Sequence, residues 1–203
     1  MNRTASCAAI ASAMLVALAV APAYAAPITY TFSGDASGDI TGSVSPGVFT
    51  NQFFTLVFNS NTSLVDLSDS PYDKDANITG TFTLGAFSST LTATVESNYA
   101  LTNIDFYNAA FTNGLGLSDP GLSSYQLLTA IGPLSNSDPS SFLTPTLGGT
   151  TFTLGNSDLL QFTGDSSLTF KATVPEPLTV SLFGAGLAGV AAVRRRRKSA
   201  RQP

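Results

Sequence analysis

Ile78-Thr79-Gly80-Thr81-Phe82-Thr83-Leu84 places threonine at every second position between apolar or small residues. A period of two is the spacing of a β-strand, whose successive side chains leave opposite faces of a sheet. The same alternation recurs in Ile28-Thr29-Tyr30-Thr31-Phe32, Leu91-Thr92-Ala93-Thr94-Val95 and Leu168-Thr169-Phe170-Lys171-Ala172. Thr151-Phe152-Thr153-Leu154 and Leu159-Leu160-Gln161-Phe162-Thr163 add two more runs. Gly, Pro, Asn, Asp and Ser punctuate the intervals, and no helical stripe of apolar residues crosses Ala26–Thr173. This pattern predicts an all-β fold, an antiparallel β-sandwich of about 8–11 strands. Phe53–Phe58 is apolar on both faces, as expected of a central strand covered on both sides. Ser118–Pro145, broken by four prolines, reads as a long loop around one strand near Tyr125–Ile131. Thr-Phe-Thr-Leu-Gly occurs at Thr81–Gly85 and again at Thr151–Gly155, which suggests two similar strands ending in glycine turns.

Charge divides the 203-residue chain sharply. Ala26–Thr173 holds 12 acids against Lys74 and Lys171, a net charge of −10. Nucleic-acid binding is excluded there, because phosphate neutralisation needs Lys and Arg in numbers. The segment has no His and no Cys, so His-based triads, thiol nucleophiles and zinc or copper sites are excluded as well. Enzymatic activity is not expected. The remaining acids are scattered among turn signals, and no base–nucleophile arrangement can be drawn from their spacing.

One acidic cluster stands out: Asp66, Asp69, Asp73, Asp75 and Asn77. Asp73-Lys74-Asp75-Ala76-Asn77 matches the D-x-D-x-N opening of a calcium loop, in which alternate oxygen ligands converge on a hard cation. The sixth position is Ile78 where Gly is wanted and the twelfth is Leu84 where Glu is wanted. Asp73, Asp75 and Asn77 are therefore a weak Ca²⁺ candidate in a polar loop, and no other metal or cofactor is expected.

The two ends read as addresses. Met1–Ser6 carries one cation, Ala8–Val20 is apolar, and Ala23-Tyr24-Ala25 is an A-x-A site, so residues 1–25 read as a signal peptide removed by signal peptidase after Ala25. Cys7 would leave with it. Residues 26–173 form the exported domain and residues 174–203 a separate tail. In that tail Pro175-Glu176-Pro177 precedes the uncharged Leu178–Val193 and the basic run Arg194-Arg195-Arg196-Arg197-Lys198. This uncharged 16-residue segment would span roughly 24 Å as a helix, a transmembrane length once arginines snorkel. The basic run anchors its end in the cytoplasm and leaves the acidic middle outside. Gly184-Ala185-Gly186-Leu187-Ala188-Gly189 matches a dinucleotide fingerprint in spelling alone, since no strand or βαβ unit surrounds it.

Pro175-Glu176-Pro177, the short glycine-rich apolar segment and the arginine run together resemble the PEP-CTERM sorting signal of Gram-negative bacteria. That resemblance implies processing by an exosortase, a membrane-embedded cysteine transpeptidase that recognises the triplet. It implies an inner-membrane precursor that becomes a cell-surface or extracellular protein. The body also resembles the β-rich exported domains that precede such tails, through Ile28–Gly34, Ile78–Phe82 and Leu128–Pro133. The functional expectation is a cell-surface or extracellular-matrix protein of structural or adhesive type, with matrix polysaccharide among its partners. The alternatives are a secreted carbohydrate- or Ca²⁺-dependent binding module and, from the recurring Thr-x-Thr pairs, an ice-binding surface.

Overall fold

The computed structural model describes residues 25–43, 46–108, 114–135 and 150–175. Among them the chain is all-β, with ten strands and two single turns of 3₁₀ helix, Thr62–Leu64 and Pro120–Leu122. In chain order the strands are β1 (Pro27–Thr41), β2 (Gly47–Asn61), β3 (Asp66–Asp69), β4 (Tyr72–Leu84) and β5 (Phe87–Asn98). They continue with β6 (Asn103–Asn108), β7 (Gly114–Ser118), β8 (Ile131–Ser135), β9 (Thr150–Thr153) and β10 (Leu159–Thr173). All pairings are antiparallel and belong to one sheet, ordered β7-β6-β5-β4-β2-β1-β10-β8, with β3 on β4 and β9 on β10.

The two layers expected of a sandwich are thus made by a single sheet that curls over its own concave face. Leu154, just beyond β9, bridges to Leu91 of β5, and the Gly155 amide donates to the Thr90 carbonyl at 2.7 Å. These contacts join β5 to β9 and bring the sheet back upon itself. Phenylalanines fill the enclosed space. Phe106 of β6 stacks on Phe152 of β9 at 4.8 Å and meets Phe32 of β1 and Phe58 of β2. Phe162 of β10 touches Phe49, Phe54, Phe82 and Phe152. Rings from strands far apart in sheet order can meet only if the sheet is curled. Each buried ring contributes about 1.5–3 kcal/mol by leaving water.

Local sequence explains the register. At Gly80 a Cβ would lie 2.3 Å from the Phe58 ring, so the inward position between Ile78 and Phe82 has to be glycine. Asp75 pairs with Val95 and Ile78 with Ala93, so Ala76 and Asn77 share one partner position in a β-bulge. Asn77 takes the left-handed conformation (φ 56°) that asparagine tolerates better than most residues. The bulge resets the alternation, and Asp73, Asp75, Ile78 and Phe82 all face inward.

Three expectations are corrected. β2 is central, but only one of its faces is covered: Phe54, Leu56 and Phe58 point inward while Phe53 is 61% exposed. The strand expected near Tyr125–Ile131 lies later, at β8. Tyr125 and Leu127 are buried in an irregular segment, with Tyr125 edge-on to Phe170, because their side chains close the core where no strand does. The Asp66–Asn77 stretch is not a polar loop but β3 and the start of β4. Both copies of Thr-Phe-Thr-Leu-Gly do behave alike, with Phe82 and Phe152 inward and a turn at the glycine.

Candidate functional site

The two expected processing points flank the folded body. Ala25 is exposed, and Ala26 is tied down, its amide donating to Thr62 Oγ1 at 3.0 Å and its carbonyl accepting from the Thr62 amide at 2.9 Å. At the other end Val174 packs against the core and Pro175 is exposed. Thr29 pairs with Thr173, so the entry of β1 and the exit of β10 lie side by side at one end of the sheet. Ala23, Glu176, Pro177, the apolar segment Leu178–Val193 and Arg194–Lys198 lie outside the described residues. No helix among the described residues is long and apolar enough to cross a membrane.

The calcium candidate comes apart in space. Asp73 and Asp75 face the interior and are 1% and 0% exposed, whereas Asn77 is on the exposed side of the bulge. Asp66 and Asp69 lie exposed on β3. Among the described residues no three acids converge as a metal-holding group. Burial raises the Asp75 carboxyl above its ordinary range, and neither of its oxygens has a hydrogen-bond partner among the described residues. The Tyr30 hydroxyl is committed elsewhere, donating to the Leu127 carbonyl at 3.0 Å. Burial, with Asp66 adding to it, also raises Asp73.

The fold brings together a second acid pair that the sequence does not reveal. Glu96 of β5 and Asp105 of β6 are directly opposite each other, each 8% exposed. Burial and the neighbouring Glu96 push the Asp105 carboxyl up to about 7, against a hydrogen bond from Asn103 Nδ2 at 2.6 Å. Lys74 Nζ lies 3.6 Å from Glu96 and 3.0 Å from Asp69. Both acids occupy polar positions of alternating strands, which is the signal available beforehand. Their pairing depends on strand order, which local alternation does not encode.

The outer face also carries a cleft of about 410 Å³ where β5 meets β9. Its walls are Thr79, Thr90, Thr92, Thr151, Thr153 and Asn108, and Leu91 and Leu154 are its buried apolar floor. Thr79 opposes Thr92 across β4 and β5, and the Asn108 side chain donates to the Thr151 carbonyl at 3.1 Å. At Gly155 a Cβ would lie 2.1 Å from Thr90 Oγ1, so any larger residue would have to turn the Thr90 hydroxyl aside. No charged side chain lines the cleft.

Comparison with known proteins adds one match, the PEP-CTERM protein-sorting motif at residues 173–197. No curated protein and no solved structure matches the chain. The motif begins at the last residue of β10, covers Pro175-Glu176-Pro177 and runs through Arg197, so its start abuts the pole where both ends of the body emerge. The chain therefore carries a PEP-CTERM protein-sorting motif behind a β-rich body, and that motif implies an exosortase as its processing partner.

Proposed function

We propose that this is a non-enzymatic surface or extracellular-matrix protein of structural or adhesive type. The PEP-CTERM motif supports sorting by an exosortase and export. The observation that carries the rest is the shared pole of Ala26 and Val174. An inner-membrane precursor held by Leu178–Val193 would present the whole curled sheet outward from one attachment point. Cutting at the triplet would release the body without disturbing a strand. The acid charge of residues 26–173 and their lack of cysteine suit a hydrated, oxidising exterior. The Glu96–Asp105 pair does not favour catalysis, because Asn103 and Lys74 engage its members. The test is the intact mass of protein released by cells with active exosortase. A released species that retains Arg194–Lys198 would overturn the processing step.

A second reading, a secreted binding module, rests on the threonine cleft. The ice-binding alternative gains in-register hydroxyls, since Ser33, Thr55, Thr83 and Ser88 oppose one another strand by strand. They lie on a curled sheet, however, and ice would require a flat one.

A further inference from the structure

We propose that the cleft between β5 and β9 is a binding site for a neutral glycan, seating uncharged sugar units of a polysaccharide chain. This deepens the adhesive reading and rests on it. The cleft volume falls in the range of sites that hold small ligands, roughly 300–1,000 Å³. Its walls offer five threonine hydroxyls and one carboxamide. Each hydroxyl both donates and accepts, which matches the dual character of sugar hydroxyls. Leu91 and Leu154 at its floor are 2% exposed and turn their side chains into the core, so the hydroxyl-bearing walls define what the cleft can bind. The absence of charged lining in a body with net charge −10 selects against ionic ligands. A phosphate or sulfate would find no cation there, and a metal ion no carboxylate.

The position of the cleft gives binding a mechanical consequence. Thr90 and Thr92 belong to β5 and Thr151 and Thr153 to β9, so a ligand contacting both walls bridges the seam where the sheet returns on itself. A ligand that binds the native state alone raises its apparent stability. Glycan binding therefore tightens the fold at its closure.

The test uses the protein as cells release it. Calorimetry with neutral β-linked and α-linked glucose oligosaccharides, alongside free glucose and carboxylated oligosaccharides of equal length, reads the ligand class. Binding by at least one neutral oligosaccharide, with a raised Tm and weaker binding by free glucose and the charged series, is expected. The double variant Thr92→Val, Thr153→Val keeps side-chain shape at two exposed positions, so its unliganded Tm should stay within a degree or two while affinity falls tenfold or more. Absence of binding by every neutral oligosaccharide at millimolar concentration overturns the site, as does undiminished binding by the double variant. Tighter binding of the carboxylated series overturns the assignment of ligand class. None of these outcomes touches the intact-mass result, so the glycan site and the sorting route fail or stand separately.

Discussion

Asp105 and Asn77 show how a single residue's role follows from its neighbours. Asp105 titrates in the folded protein near 7, above the roughly 3.9 of an unfolded aspartate, because burial and Glu96 disfavour its charge. The native state then holds more protons than the unfolded state between those values. The stabilisation is complete below about pH 4 and is lost as pH rises through 7. Glu96, Asp75 and Asp73, whose carboxyls are also raised, act in the same direction. Asp105→Asn should therefore flatten the fall in stability between pH 5 and pH 8. Relative to the parent it should gain about 2 kcal/mol at the upper end, measured by urea denaturation across pH. A parent that is most stable at pH 8 would contradict this. Asn77 is a bulge residue with positive φ, on the exposed side of β4 while Asp73 and Asp75 are buried. Asn77→Gly should leave stability within about 0.5 kcal/mol and Asn77→Val should cost about 1–2 kcal/mol. Neither variant should change the response to millimolar calcium, followed as Tm.

At the scale of the element, alternation was legible and its exceptions were not. The runs at Ile28–Phe32, Ile78–Leu84 and Leu168–Ala172 are strands with apolar side chains inward. Phe53–Phe58 looked covered on both sides, because runs of apolar residues carry no label for the face that meets solvent. Substitutions should separate the two faces. Phe162→Ala, which empties the meeting point of four other rings, should cost about 3–5 kcal/mol. Phe53→Ala, on the outer face, should cost less than about 0.5 kcal/mol. Equal losses in chemical denaturation would show that the outer face of β2 is covered after all. The strand expected near Tyr125–Ile131 begins only at Ile131, and Tyr125–Leu127 before it is irregular. Its backbone, with Leu127 at φ 60°, is held by tertiary closure of the core.

On the scale of the whole molecule, the body and its sorting segment divide the work. β1 and β10 pair over most of their length and place Ala26 and Val174 together, so removing residues beyond Val174 leaves every strand intact. Deleting Pro175–Pro177 should leave the protein folded and exported but held in the inner membrane, with cell fractionation and intact mass as readouts. Normal release from that variant would remove the exosortase step. The sequence alone determined the β class, the acidic and cysteine-free body and the sorting motif. Each of these is written in residues close together in the chain, as alternation, composition or an ordered triplet–apolar–basic segment. Tertiary structure alone decided that one curled sheet replaces two, that Glu96 faces Asp105, that Asp73 and Asp75 turn away from Asn77, and that threonines of β5 and β9 enclose a cleft. The physical reason is that strand order, bulge placement and closure are set by which aromatic side chains can fill a common core, a property of distant residues taken together.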